Sequence, residues 1–219
     1  MEPIQGEGGV IIPHDGYLKG VKALCEKHNV LMCADEIQTG FGRTGKMFAC
    51  EWEDVRPDIL VMGKSMSGGM YPVSGCLADN VVMDNIGPGD HGSTYGGNPL
   101  GMAIAHAAVS TIVEEGLVEN SLAMGELLKS ELSKINSPLF KEIRGRGLFV
   151  GVELRSDLPV NGTDFAKILC GEGLLTKSTH DYTVRFAPPL VITEAEVKQS
   201  VEVVAAGTHK LEQLVKSLQ

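Results

Sequence analysis

Two short apolar runs, each followed by a charged residue, constrain the fold of this chain most strongly. Residues 30–34 are continuously apolar and lead into Asp35 and Glu36, and residues 59–62 lead through Gly63 to Lys64. Short continuous apolar runs are typical of strands buried on both faces of a parallel sheet. Ligands of such sheets bind outside the carboxyl ends of the strands. The two runs therefore predict neighbouring strands whose ends open into a site.

The remaining periodicity predicts an α/β fold followed by a smaller α+β part. The further predicted elements are a helix over residues 16–28, a strand over 73–78, helices over 100–115 and 117–135, strands within 141–154, a helix near 163–171, strands near 174–176 and 183–186, and a helix from 194 to about 215. Helices alternating with the first strands indicate layers of helix and sheet. We place a partial large domain with a bridging helix at residues 1–125 and a small C-terminal domain at residues 126–219.

Charge and composition argue against nucleic-acid and membrane partners. The chain has 19 basic and 28 acidic residues, a net charge of −9, and no Lys/Arg block that would follow a phosphate backbone. Its apolar runs are far shorter than the roughly 20 residues that span a bilayer. Five cysteines without a C-x-x-C pair indicate free thiols in a reducing compartment, and no targeting segment is recognised at the N-terminus. We expect the cytoplasm or the mitochondrial matrix.

Residues 40–45 match the G-x-G-x-x-G pattern of dinucleotide-binding loops. Such a loop joins a strand directly to a helix, whereas here Asp35 and Glu36 precede it and no clear helix follows. We interpret the segment as a flexible active-site loop.

Asp35, Lys64 and the polar loop over residues 91–98 together offer the groups that pyridoxal phosphate requires. A lysine forms a Schiff base with the cofactor aldehyde, a carboxylate keeps the pyridine nitrogen protonated, and hydroxyl and backbone N–H groups bind the phosphate. Each residue also has an ordinary interpretation, because Lys64 fits a solvated surface lysine and Asp35 fits a helix N-cap. The combination favours the cofactor, and no metal site is predicted.

Several stretches resemble the class III, fold type I aminotransferases, and the resemblance runs from Glu2 to the C-terminus. Those carrying the class signature are residues 2–7, 34–45, 63–69 and 91–100, and those most similar to its ornithine aminotransferase branch are 71–74, 92–101 and 185–192. The resemblance implies the C-terminal part of a large domain with a mainly parallel sheet and flanking helices, plus a small α+β domain. The acetylornithine and 4-aminobutyrate branches share the class signature and are the alternatives.

The resemblance also implies a role for each matching residue of the cofactor site. Lys64 corresponds to the Schiff-base lysine, Asp35 to the partner of the pyridine nitrogen, and Gln38 to a neighbour of the ring hydroxyl. Ser93 and Thr94 correspond to residues that bind the cofactor phosphate of the neighbouring subunit in a homodimer.

For the substrates, the resemblance implies that ornithine gives its δ-amino group to 2-oxoglutarate, producing glutamate semialdehyde and glutamate. Arg185 would bind a substrate carboxylate through its bidentate guanidinium. Glu7 would mask Arg185 while ornithine enters and release it for 2-oxoglutarate. An ordinary ion pair is the alternative for these two residues.

Members of this class are roughly twice as long as this chain. The part without a counterpart here would carry the first strands of the sheet, the rest of the phosphate site and an aromatic residue that stacks on the cofactor ring. With only the last three strands of the parallel run, one sheet edge and its apolar faces would be uncovered. We expect the chain to be inactive without its N-terminal half, supplied in cis or in trans. A truncated sequence, a nicked enzyme and a catalytically silent interaction protein remain open.

Overall fold

Two separate β-sheets, joined by two long helices, organise the chain in the computed structural model, which describes residues 1–218. The strands are β1 Cys33–Asp35, β2 Ile59–Met62, β3 Gly75–Ala78, β4 Phe140–Arg146, β5 Phe149–Leu154, β6 Lys177–Thr179 and β7 Thr183–Phe186. The helices are α1 Tyr17–Lys27, α2 Asn80–Met83, α3 Pro99–Glu114, α4 Leu117–Lys134, α5 Gly162–Gly171 and α6 Glu194–Leu218. The predicted α/β fold with an α+β second part is confirmed.

The first sheet has the order β1-β2-β3 and brings the two constraining runs together. Strands β1 and β2 are parallel neighbours, with Asp35 opposite Val61. Strand β3 pairs antiparallel to β2, with Gly75 opposite Met62, so the prediction of three parallel strands is wrong for β3. The physical reason is the short connection over residues 63–74, which contains a 3₁₀ turn rather than a crossover helix and so reverses the chain.

The first sheet is less buried than its apolar sequence predicts. Val30 and Leu31 lie before β1 with 57% and 54% of their surface exposed, so the prediction of a strand covered on both faces from residue 30 onward is wrong within residues 1–218. At the open edge of β1, Met1 donates its amine to Cys33 O and accepts from the Asp35 N–H, each at 2.8 Å. The described residues thus cover only part of the apolar surface, as expected for a partial sheet.

The second sheet has the order β4-β5-β7-β6 with antiparallel neighbours throughout. Helices α4 and α5 pack against it, and α6 packs on these two helices. Together they bury a continuous apolar core, which includes Leu132, Val150, Phe165, Val184 and Leu211. Strand β6 begins at Lys177, three residues later than predicted, because its pairing with β7 places Thr179 opposite Thr183. The pairing register of the hairpin therefore overrides the apolar run at residues 174–176.

Helices α3 and α4 connect the two sheets. Helix α3 packs on the 3₁₀ turn Lys64–Ser67, and α4 packs on β4 and α6. Within residues 1–218 no helix is by itself long and apolar enough to cross a membrane, while α3 and α4 reach that length and composition only as a pair bent by 63°. The domain boundary at residue 125 stays a prediction.

The glycine-rich segment at residues 40–45 is packed between the two sheets. A Cβ on Gly45 would lie 3.0 Å from Leu122 Cβ, and a Cβ on Gly147 would lie 2.4 Å from the Gly45 nitrogen. The interpretation as a flexible loop is therefore wrong, because the glycines permit a close approach between the loop, α4 and the β4–β5 turn. No helix follows the segment directly, so it is not built like a dinucleotide-binding loop.

Candidate cofactor and substrate site

The carboxyl ends of β1 and β2 place Asp35 and Lys64 at one edge of the first sheet. Beyond the paired residues, the Glu36 N–H donates to Val61 O at 2.9 Å and continues the parallel ladder. A Cβ on Gly63 would lie 3.5 Å from Ile37 Cγ2, so the residue before Lys64 packs beside the segment that follows Asp35. The predicted juxtaposition of these two strand ends is confirmed.

Lys64 begins a 3₁₀ turn in an unusual backbone conformation. Its φ angle is +41°, a region that non-glycine residues rarely adopt and that is concentrated at functional sites. The side chain is exposed and makes no hydrogen bond or ion pair with another residue in the described part of the chain. Lys64 also lines a largely apolar cleft of about 840 Å³ between α3 and Leu190. Its role as the Schiff-base lysine stays a prediction.

Asp35 is half-buried, and its carboxylate is available for a ligand. Oδ1 accepts the N–H of Ile37 at 3.1 Å, and no lysine or arginine in residues 1–218 pairs with it. The interpretation of Asp35 as a helix N-cap is wrong, because residues 36–48 form turns rather than a helix. The Asp35 side chain thus stabilises a local turn with one oxygen and leaves the other for an additional donor.

Glu36, to which the sequence analysis assigned no role, holds the turn that follows β1. It is fully buried and accepts the backbone N–H groups of Ala49 at 2.9 Å and Cys50 at 2.8 Å, together with the Thr39 hydroxyl. Three donors converge on its two oxygens, so both Glu36 oxygens act as hydrogen-bond acceptors. Burial, with the Glu36 charge as a further cause, raises the pKa of the Cys50 thiol above its ordinary value.

Gln38, Glu7 and Arg185 form a direct polar cluster from three distant parts of the chain. Arg185 Nη1 donates to Glu7 Oε1 at 2.9 Å and to Gln38 Oε1 at 3.0 Å. Arg185 lies on β7 with only 16% of its side chain exposed. A Cβ on Gly6 would lie 2.5 Å from Gln38 Oε1, so any larger residue at this position would clash with the Gln38 amide. The predicted contact between Glu7 and Arg185 is confirmed.

The loop that carries Glu7 is attached to the second sheet. Thr179 Oγ1 donates to Gly6 O at 3.0 Å and to Glu7 O at 2.8 Å. Arg144 donates from Nη2 to Gly9 O at 2.6 Å and from Nε to Val10 O at 3.0 Å. These bonds fix the backbone on both sides of Glu7, so only its side chain is free to change partners.

A second cation, Lys177, contacts Glu7 and was not identified from the sequence. Its Nζ lies 3.0 Å from Glu7 Oε2. Hydrogen bonds from Lys177 and then Arg185 are the main causes that hold the pKa of Glu7 below its ordinary value. The sequence carried no signal for this contact, because only the structure shows the β6–β7 register that places Lys177 directly opposite Arg185.

Arg43, also unassigned from the sequence, connects the glycine-rich segment to the β4–β5 turn and to the chain that follows β7. Its Nη1 donates to Leu148 O at 3.0 Å and to Pro188 O at 2.6 Å. Burial and the neighbouring Arg185 charge lower the pKa of Arg43 to about 10, which leaves it cationic at neutral pH. Arg43 thus ties the first sheet to the chain just beyond Arg185.

Ser93 and Thr94 lie on an exposed loop away from this cluster. Ser93 Oγ accepts the Gly96 N–H at 3.1 Å, and the loop lines a separate cleft with Tyr71 and Ser74. Within residues 1–218, neither the Ser93 nor the Thr94 hydroxyl forms a hydrogen bond with Asp35, Gln38 or Lys64. Their binding of the cofactor phosphate of a neighbouring subunit therefore stays a prediction.

The donor set at the first sheet edge fits pyridoxal phosphate. Asp35 offers a carboxylate oxygen, Lys64 offers an amine without another partner among the described residues, and Gln38 offers an amide held beside Gly6. The cofactor needs an anion, an amine and neutral polar groups of this kind.

Comparison with known families agrees with this chemistry. The family described as Aminotransferase class-III matches residues 1–206. The ornithine aminotransferase of Staphylococcus epidermidis is 50% identical over 202 residues, which cover 92% of this chain and 50% of that protein. The chain therefore spans about half the length of the curated relatives it matches.

Solved structures of related enzymes also match nearly all of this chain over about half of their own length. An ornithine aminotransferase structure from Toxoplasma gondii, described as having partial occupancy of pyridoxal phosphate at its active site, has a TM-score of 0.94 and 42% identity over 99% of this chain and 51% of its own. The acetylornithine aminotransferase of Elizabethkingia anophelis has a TM-score of 0.90 and 48% identity over 95% of this chain and 55% of its own.

Proposed function

The chain belongs to the class III aminotransferase family, and on that premise we propose that it carries the C-terminal part of a site that transfers the δ-amino group of ornithine to 2-oxoglutarate. Enzymes of this family use pyridoxal phosphate. The observation that carries the substrate proposal is the Glu7–Arg185 pair at 2.9 Å, a cation covered by a carboxylate that can leave it.

The cofactor would be held by residues at the ends of β1 and β2. When bound, pyridoxal phosphate supplies an electron sink that stabilises negative charge on the substrate carbon bearing the amine. Asp35 would pair with the ring nitrogen, Gln38 would lie beside the ring hydroxyl, and Lys64 would bind the aldehyde. Ser93 and Thr94 would bind the phosphate in the partner subunit of a homodimer.

Lys64 would also move the proton that transamination requires. The Lys64 amine would accept the proton from the carbon that bears the transferred nitrogen. In the described residues no carboxylate pairs with Lys64 Nζ, so no ion pair holds the amine away from the substrate carbon.

Glu7 and Arg185 would let one site accept two substrates of different charge. With Glu7 on Arg185, the pair presents little net charge, and the amine-bearing end of ornithine enters without meeting a free cation. A dicarboxylate competes with Glu7 for the same guanidinium, which binds carboxylates bidentately. The exposed fraction of Glu7, 53% against 16% for Arg185, supports movement of the carboxylate rather than of the arginine.

The main alternative donor is N-acetylornithine, which the identity of 48% to the Elizabethkingia acetylornithine enzyme favours. The two donors differ in charge, because acetylation removes the cation from the α-nitrogen. The Glu7 carboxylate that covers Arg185 keeps a free cation away from the donor that carries two ammonium groups, which supports ornithine. We therefore retain ornithine as the first proposal and test both.

We further propose that the activity needs the part of the relatives that this chain does not cover. The uncovered apolar surface beside β1 and β3 and the position of Ser93 and Thr94 on a separate exposed loop support this proposal. Each missing charge-assisted phosphate contact would weaken binding by about 1.5–3 kcal/mol, so several would remove orders of magnitude of affinity.

The experiment compares the 219-residue chain alone with the chain co-expressed with an N-terminal half taken from the Staphylococcus epidermidis relative. Cofactor binding is measured by titration, and turnover is measured with ornithine, N-acetylornithine or 4-aminobutyrate as donor and 2-oxoglutarate as acceptor. We expect weak cofactor binding alone, and binding with ornithine-dependent turnover in the assembly.

Three outcomes would contradict parts of this proposal. Faster turnover with N-acetylornithine or 4-aminobutyrate than with ornithine would show that ornithine is not the amino donor of this site. Full activity of the chain alone would show that the site is self-sufficient. Cofactor binding without turnover of any donor, in an assembly whose Lys64 is intact, would favour a catalytically silent interaction protein.

A further inference from the structure

We propose that Lys177 determines how readily the site exchanges its two substrates, by holding the Glu7 carboxylate when Arg185 is released to a dicarboxylate. This inference rests on the proposed function and assigns to Glu7 a second cationic partner beside Arg185. Lys177 is a positioning residue in this scheme, because it acts on the substrate site only through Glu7.

The two oxygens of Glu7 are divided between two cations. Oε1 lies 2.9 Å from Arg185 Nη1, and Oε2 lies 3.0 Å from Lys177 Nζ. Neighbouring strands supply both cations, since Lys177 and Arg185 are paired positions of the β6–β7 ladder. The Glu7 carboxylate therefore has a cation on each side.

The two cations differ in their access to solvent. Lys177 has 62% of its side chain exposed, whereas Arg185 has 16%. Lys177 thus lies at the rim, and Arg185 lies deeper beside Gln38. Because Thr179 fixes the backbone of Glu7, the carboxylate leaves Arg185 by rotating its side chain while one oxygen stays near Lys177.

Lys177 lowers the free energy of the unmasked state in two ways. A carboxylate that leaves Arg185 keeps one cationic partner instead of being released entirely to water. The lysine charge also adds to the positive potential that attracts a dicarboxylate toward Arg185. Without Lys177, Arg185 is the one cation paired with Glu7 among the described residues, and a dicarboxylate displaces the Glu7 carboxylate from Arg185 less easily.

The expected change is in the Michaelis constant of the acceptor. Exposed ion pairs have modest energies, so we expect Lys177→Met to raise the KM for 2-oxoglutarate roughly two- to fivefold. The KM for ornithine should stay within about twofold, because ornithine enters the masked site. Lys177→Glu places a like charge beside Glu7 and should raise the acceptor KM about tenfold or more.

The experiment uses the catalytically competent assembly and measures both KM values for Lys177→Met, Lys177→Glu and Lys177→Arg. Lys177→Arg keeps the charge and should restore the acceptor KM to within about twofold of the wild type. The matched control is Lys198→Met, which removes an exposed lysine paired to Glu194 on α6. At about 1 M salt, where the Debye length is about 3 Å, the difference between Lys177→Met and the wild type should shrink.

Each result separates the inference from the proposed function. A wild-type assembly with no turnover of ornithine and 2-oxoglutarate overturns both. A wild type that turns over, with Lys177→Met matching Lys198→Met in its acceptor KM, overturns the role of Lys177 alone. An equal rise in both KM values, or a rise that persists at high salt and is not rescued by arginine, would indicate a structural effect and also overturn it.

Discussion

The substitution Gly6→Ala tests whether the position of Gln38 supports the substrate site. The added Cβ would lie 2.5 Å from Gln38 Oε1 and 2.6 Å from Gln38 Cδ, far inside contact distance. The Gly6 backbone cannot retreat easily, because its N–H donates to Glu2 Oε2 at 2.7 Å and its carbonyl accepts from Thr179 at 3.0 Å. The flexible amide of Gln38 must therefore move, and the fold should remain intact.

The expected loss follows from the contact that Gln38 would give up. Its Oε1 accepts from Arg185 Nη1 at 3.0 Å, and a hydrogen bond to a charged group contributes about 1.5–3 kcal/mol. Each 1.4 kcal/mol corresponds to about a factor of ten. Arg185 keeps Glu7 as a partner, so we expect the lower end, roughly a tenfold fall in kcat/KM for 2-oxoglutarate.

The assay is steady-state kinetics of the assembled enzyme, with thermal melting as a check on folding. Gly8→Ala is the matched control, because a Cβ there would lie 3.1 Å from Gln5 Oε1 and leaves Gln38 untouched. Gln38→Ala removes the same hydrogen bond directly. Since both changes act on one contact, the double variant should lose little more than either single variant.

Two results would refute this reasoning. Gly6→Ala with the kinetics of Gly8→Ala would show that Gln38 does not need its observed position. Fully additive losses in the double variant would show that Gly6→Ala acts through something other than the Gln38 amide.

Four other predictions concern residues of the site and its support. Borohydride reduction of the cofactor-loaded enzyme should attach the pyridoxyl group to Lys64, and peptide mapping that finds another lysine labelled would exclude this assignment. Asp35→Asn should reduce the half-reaction with ornithine by orders of magnitude while cofactor still binds, and rates within a few-fold of wild type would contradict the role of its charge. Glu36→Gln turns an amide donor toward the Ala49 or Cys50 N–H and should lower the free energy of unfolding of the assembly by about 1–3 kcal/mol in urea, whereas a change below about 0.5 kcal/mol would contradict the role of Glu36 as the acceptor for these groups. Because its two cations lower the pKa of Glu7, the stability it contributes should be complete above its ordinary pKa of 4.5 and disappear as pH falls through the lower folded value, an acid-dependent part that Glu7→Gln should remove and that unfolding curves at several pH values would detect.

The sequence predicted some residues of the candidate site from their local pattern and others only from the family resemblance, and it missed the rest. Asp35 ends one apolar run and Lys64 follows the other after a single glycine, so the local pattern alone was enough to place them at strand ends. Glu7 and Arg185 came from the family resemblance, and the structure confirms their contact. Lys177, Glu36 and Arg43 carry no local signal of a special role, because a lysine, glutamate or arginine is ordinarily solvated.

By itself the sequence determined the type and approximate bounds of most elements, the family signature and the chemistry available at the strand ends. The tertiary structure decided the antiparallel direction of β3, the burial of residues 40–45, the register of β6 and the partners of each charged side chain. The physical reason is the separation along the chain between the residues that make contact. Periodicity reports which residues of one segment face a core, whereas the contacts of Arg185 with Gln38 and Glu7 join residues 147 and 178 positions apart. Such contacts exist only after the two sheets and the N-terminal loop have packed, and no pattern within a single segment encodes them.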